Sequence, residues 1–122
     1  MTRAPRPQTP AQRLRAATAD ARVRAFTQWL TRHGLPLPVA EYHFHPPRRW
    51  RLDFCWIAQQ VALENQGGLF SGGRHTRGAA LLREHEKLNH AAMDGFRVVF
   101  TTPQTITNPA TLAMLRVLLR SP

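Results

Sequence analysis

Two apolar runs, Trp50-Arg51-Leu52-Asp53-Phe54-Cys55-Trp56 and Val61-Ala62-Leu63-Glu64-Asn65-Gln66, are separated only by Ile57-Ala58-Gln59-Gln60. A linker this short cannot carry a crossover, so two strands joined by it pair as an antiparallel hairpin. With Ala58-Gln59 as the loop, Ile57 pairs with Gln60, and counting back sets Asp53 opposite Glu64 on one face. Gln66 shares that face; a one-residue slip separates the acids. Carboxylates are depleted from strands, so an acid in each arm asks for a reason.

The flanking segments extend the hairpin into a domain. Residues 1–10 hold three prolines and two arginines without apolar periodicity and read as a flexible basic tail, with one domain over 11–122. From Ala11 to His33 the positions Ala16, Ala19, Val23, Phe26 and Leu30 fall on one helical face. Arg13, Arg24 and Arg32 project from the other side, and Gly34, Pro36 and Pro38 end the helix. Glu41 to His45 alternates with period two as a first strand, with Tyr42 and Phe44 on one face and Glu41, His43 and His45 on the other. The second strand, Arg49 to Trp56, points Trp50, Leu52, Phe54 and Trp56 inward and Arg49, Arg51, Asp53 and Cys55 outward. After the glycine-rich loop from Gly67 to Gly73 comes a second helix, Ala79 to Met93, with Leu81, His85, Leu88 and Ala92 on one face. Arg97 to Thr101 is a short buried strand. Asn108 and Pro109 open a last helix carrying Leu112, Leu115, Leu118 and Leu119. The expectation is an α/β fold, a mixed sheet flanked by helices.

Charge narrows the partners. Seventeen Lys and Arg against 7 Asp and Glu give a formal net charge of +10 in 122 residues, a field that draws in phosphate backbones. Nucleic acid fits this better than a membrane surface, which needs a large apolar face left exposed. A single cysteine, Cys55, leaves no internal disulfide and suits a reducing cytoplasm; the first residues lack a secretion signal's apolar stretch.

Arg49-Trp50-Arg51-Leu52-Asp53-Phe54, Ala62-Leu63-Glu64-Asn65-Gln66-Gly67-Gly68, Gly73-Arg74-His75, Glu86-Lys87-Leu88-Asn89 and Gly95-Phe96-Arg97-Val98-Val99 together resemble the small phage and bacterial nucleases of the PD-(D/E)XK, restriction-endonuclease-like superfamily. The resemblance covers roughly residues 38–102 and implies αβββαβα order and Mg²⁺- or Mn²⁺-dependent cleavage of DNA. It implies that Asp53 and Glu64 bind metal. The last motif position, usually Lys, is Gln66, and Lys87 from the following helix is the candidate replacement. His75 and Glu84 resemble features of the mismatch-repair and homing-nuclease branch. Members this short often act as homodimers.

Phosphodiester hydrolysis needs charge on the phosphoryl oxygens offset, a water activated and an alkoxide stabilised. Mg²⁺ takes hard oxygen ligands and keeps several waters, so Asp53, Glu64 and the backbone carbonyl of Asn65 are a sufficient protein set. Glu41 can hold a second ion, Gln66 can orient water, and His75 can exchange a proton near neutral pH. Lys87, Arg49, Arg51, Arg74, Arg77, Arg13 and Arg24 are the candidate phosphate contacts. The expectation is a metal-dependent DNA endonuclease, acting on branched DNA such as a Holliday junction or by nicking. The alternative is a basic DNA-binding module whose nuclease site has decayed; RNA binding is disfavoured by the lack of outward aromatics on the strands. Duller readings stand beside each residue: two solvated acids on an open sheet, a Glu84–Lys87 helical ion pair, surface histidines at His43 and His45, and core tryptophans at Trp29, Trp50 and Trp56.

Overall fold

A computed structural model describes residues 6–67 and 74–120, with backbone alone for 74–77. The glycine loop over 68–73 and the side chains of Arg74, His75 and Arg77 therefore lie outside the described residues. The elements run α1 (Pro10–Arg32), β1 (Val39–His43), β2 (Arg51–Trp56), β3 (Val61–Asn65), α2 (Arg74–Met93), β4 (Arg97–Thr101) and α3 (Pro109–Leu118). The four strands form one mixed sheet in the order β1-β2-β3-β4. The first three pair antiparallel, and β4 returns through α2 to lie parallel to β3.

Local chemistry sets the helix ends. Thr9 caps α1 by accepting from the Gln12 amide, while the Gln12 side chain accepts from the Thr9 amide, and Pro10 follows at the first helical position. Gly34, at φ 70°, takes the left-handed conformation that ends the helix. From Pro10 to Arg22 every residue of α1 is exposed; only Phe26, Trp29 and Leu30 are buried. The first half of the helix thus projects beyond the sheet with its arginines, Arg13 among them, in solvent.

Helices cover both faces of the sheet. On one side Phe26, Trp29 and Leu30 of α1 and Leu115 and Leu119 near the end of α3 meet Phe54, Trp56, Val61 and Leu63. On the other, Ala91 of α2 meets Leu52, Cys55 and Ala62. Cys55, expected outward, is fully buried for this reason, and burial pushes its thiol up to about 11. Burial of this kind is the main stabilising term, at roughly 25 cal/mol per Å² of apolar surface removed from water.

Alternation fails in the middle of β2. Leu52 packs on the α2 side although Phe54 and Trp56 pack on the α1 side, which corrects the expected common face. The same reversal occurs across the ladder, where Ala40 joins the α1 cluster and Tyr42 the α2 cluster. Between these pairs, Ala40 with Phe54 and Tyr42 with Leu52, stand Glu41 and Asp53. Glu41 has φ 53°, a left-handed conformation that costs a non-glycine residue about 1 kcal/mol or more. Both strands change face at this pair of acids.

Three further expectations shift. Trp50 lies outside β2 and outside the core clusters, stacking instead on Phe44, with Arg48 4.0 Å above its ring. β1 begins two residues earlier than expected and ends at His43, whose Nε2–H donates to the Arg48 carbonyl and ties the loop back to the strand. Helix α2 turns Glu84, Lys87, Leu88 and Ala91 inward, while His85 and Ala92 are exposed. Its sheet-facing stripe is rotated from the one read off the apolar residues, because two charged residues occupy it.

Candidate functional site

The β2–β3 ladder pairs Trp56 with Val61, Cys55 with Ala62 and Phe54 with Leu63, then stops. Continued by one step it would set Asp53 opposite Glu64. The backbone pairing is replaced there by the two side chains. The Asp53 amide donates to Glu64 Oε2 at 2.8 Å, and the Asn65 amide donates to Asp53 Oδ2 at 2.7 Å. The amides that would bond strand to strand are satisfied by carboxylates, and the arms are held together by their acids. The turn that sets this register spans Ile57 to Gln60, closed by the Gln60 amide on the Ile57 carbonyl at 3.1 Å.

Glu64 is 1% exposed. Its second oxygen, Oε1, accepts from Lys87 Nζ. Lys87, in the last third of α2, also donates to the Arg51 carbonyl at 3.0 Å and pairs with Glu84 at 3.3 Å. The helical Glu84–Lys87 pair exists, but it is one arm of a buried network centred on Glu64.

The electrostatics follow from this crowding. Burial and the Asp53 charge push the Glu64 carboxyl up to about 7, against the opposing pull of Lys87. Burial likewise raises Glu41, with Asp53 adding to it and Arg51 and Lys87 opposing. Burial would lower Lys87, but its bonds to Glu64 and Glu84 outweigh that and raise it, so the ammonium stays charged. Glu41 and Glu64 are therefore each opposed by the Asp53 charge at the strand break.

Asp53 and Glu41 open into a cavity of about 170 Å³ beneath α1, lined also by Ala19, Arg22, Val23, Phe54 and Asn65. The expected sharing of a face by Gln66 and Asp53 does not hold. Gln66 lines a separate cavity on the α2 side with Leu81, Glu84, His85, Leu88 and Phe100, because the sheet reverses its faces between the two. Asp53 and Glu64 thus meet at the break from opposite sides. Asn65, whose carbonyl was the expected third ligand, follows Glu64 in β3 and donates its amide to Asp53.

The candidate phosphate contacts are dispersed. Arg51 flanks Glu41 closely enough to influence its titration, while Arg49, Arg13 and Arg24 are exposed, Arg13 reaching the Gln8 carbonyl at 2.7 Å. His45 leaves the strand and pairs with Asp94 at 2.8 Å, so it does not join His43. Among the described residues no three His, Cys, Asp or Glu side chains form a ready metal cage. A cation here would rest on two hard carboxylates, a carbonyl, waters and substrate phosphate, which is what Mg²⁺ tolerates.

Two residues escaped the sequence reading. Arg48, stacked on Trp50, pairs with Glu86 at 2.9 Å. Arg22 lines the acid cavity and the apolar cavity beside it. Its signal was present: Ala19, Arg22, Phe26 and Trp29 form a second stripe of helical spacing alongside the apolar one.

No family model, curated protein or solved structure matches the chain.

Proposed function

We propose that the protein is a divalent-metal-dependent DNA endonuclease whose metal ligands are Asp53 and Glu64. The observation that carries this is the buried Glu64 carboxylate, pushed up to about 7, beside a second acid at a broken strand pairing. The two carboxylates hold the arms together through backbone amides, but their charges oppose each other, and that repulsion would be relieved by a divalent cation shared between them. The order of elements, with β3 and β4 parallel beside an antiparallel hairpin, is compatible with a restriction-endonuclease-like architecture. The net charge of +10 supports a polyanionic partner.

Bound Mg²⁺ or Mn²⁺ would supply Lewis acidity at the phosphoryl group and at the attacking water. Asp53 and Glu64 would hold the cation, with the Asn65 carbonyl as a candidate neutral ligand. Lys87 takes the part that Gln66 cannot: it keeps a fixed positive charge against Glu64 and can neutralise a phosphate oxygen. Burial and the Asp53 charge raise the Glu64 carboxyl, so it would bind a cation in competition with a proton. Arg13, Arg24, Arg49 and Arg51 steer the duplex. No helix among the described residues is long and apolar enough to cross a membrane. The lone buried thiol suits a cytoplasmic enzyme, and a homodimer would place two cuts symmetrically.

The test is cleavage of supercoiled plasmid and of a four-way junction with Mg²⁺, Mn²⁺ or EDTA. Cutting that needs metal and is lost in Asp53→Ala and Glu64→Ala supports the enzyme. Tight binding without cutting under any metal makes the protein a DNA-binding module whose Glu64 is permanently neutralised by Lys87.

A further inference from the structure

Beside the acid cavity lies a second one of about 210 Å³, lined by Arg22, Ala25, Phe26, Phe54, Asn65, Pro103, Ile106 and Thr107. Arg22, Phe54 and Asn65 line both. The first carries Glu41 and Asp53, the second is chiefly apolar, and Arg22 is common to them. Resting on the nuclease reading, we infer that the two form one divided substrate site, the Arg22 border binding a backbone phosphate and the apolar cavity an adjoining nucleobase drawn out of its stack.

The occupant follows from size, charge and polarity together. A cavity of about 150 Å³ with apolar walls already accepts a benzene ring, so one of about 210 Å³ has room for a flat heteroaromatic ring. Its lining includes Phe26 and Phe54, which are 2% and 6% exposed and offer a base apolar contact. The polar groups on its wall are few, and of the right kind. Asn65 and Thr107 join Arg22 as its polar lining, the Asn65 side-chain oxygen lying 3.5 Å from the Thr101 hydroxyl. A hydrocarbon ligand would leave Arg22 without an anion, whereas a nucleotide brings a phosphate to it. The ring must leave the stack to enter, which favours substrates whose bases are already unpaired, such as flaps, branches and mismatches, over intact duplex.

Ala25 is exposed on α1 at the cavity wall, so Ala25→Trp fills the space from outside the core. The full chain is mixed in EDTA with a short single strand carrying a fluorescent adenine analogue, and separately with a strand of equal length lacking every base. The expected result is a rise in fluorescence as the analogue unstacks, and about tenfold weaker binding of the baseless strand, both effects vanishing in Ala25→Trp. The comparison of strands needs no variant and stands even if Ala25→Trp misfolds. Equal binding of the two strands with no change in fluorescence overturns the inference, and plasmid cutting under metal would then leave the nuclease reading intact. Base-dependent binding without cutting under any metal does the converse, keeping the pocket and removing the nuclease.

Discussion

Asp53 and Glu64 each bind the other's strand, the Asp53 amide on Glu64 Oε2 at 2.8 Å and the Asn65 amide on Asp53 Oδ2 at 2.7 Å. The bonds stabilise the hairpin while the charges oppose it. Asp53→Asn separates the two, since an amide oxygen still accepts from Asn65 but no longer repels Glu64. The variant is expected to be more stable than the parent above pH 7 by about 1 kcal/mol, the worth of one pKa unit, and to lose at least about a hundredfold in cleavage. Urea denaturation and plasmid nicking check the two halves. A variant that is both less stable and fully active would contradict them.

Stability should depend on pH through Glu64. Its carboxyl is raised from 4.5 to about 7, so the folded state holds a proton that the unfolded chain has released. The stabilisation is whole below pH 4.5 and is lost as pH rises through about 7, a change on the order of 3 kcal/mol for this fully buried group. Lys87 adds no slope in that window, because its raised pKa keeps it charged throughout. Melting curves in EDTA are expected to fall across this range in the parent and to fall much less in Glu64→Gln. Mg²⁺ should restore the loss at the upper end, by binding the folded state alone.

Lys87→Met keeps the length of the side chain and removes its charge. Glu64 then loses its partner in a site closed to water, which costs about 3 kcal/mol above pH 7, and much less below it, where the carboxyl protonates. Cleavage should fall while DNA affinity in EDTA changes little, and Lys87→Arg should recover stability more than turnover, because a planar guanidinium does not replace a point charge. Denaturation at two pH values with parallel cleavage assays reads all three effects.

The exposed first half of α1 carries Arg13, with Arg24 following on the same helix. Both are expected to touch phosphate without reading sequence. Changing both to Ala should flatten the dependence of log affinity on log salt by about 0.9 for each phosphate no longer neutralised. Filter binding or fluorescence anisotropy across a salt series measures the slope, and an unchanged slope would remove α1 from the interface.

Periodicity carried most of the fold because each helix and strand buries a stripe, and period alone reports which residues can share one. The hairpin, β4 and the leucine-rich α3 were legible for that reason, as was the juxtaposition of Asp53 with Glu64. What could not be read was the reversal of faces at Glu41 and Asp53. It arises from side chains taking backbone amides, an event that leaves no mark in the pattern of polar and apolar residues. Leu52 was misplaced and Asp53 was parted from Gln66 as a consequence, whereas Cys55 was misplaced because α2 covers the second face of the sheet. Lys87 stands out through the resemblance, yet its burial against Glu64 is a tertiary fact, and it also explains why the apolar stripe of α2 misled: Glu84 and Lys87 face the sheet. Arg22 was overlooked because one arginine among several on an exposed half-helix reads as solvated surface.

Titration with Mn²⁺ near pH 7, followed by electron paramagnetic resonance for bound metal and by a weakly buffered indicator for released protons, tests whether Asp53 and Glu64 share a cation. The account predicts binding accompanied by release of a fraction of a proton, since Glu64 is partly protonated at that pH, and loss of both signals in Asp53→Asn and Glu64→Gln. Binding that persists in those two variants, or none in the parent, would contradict it.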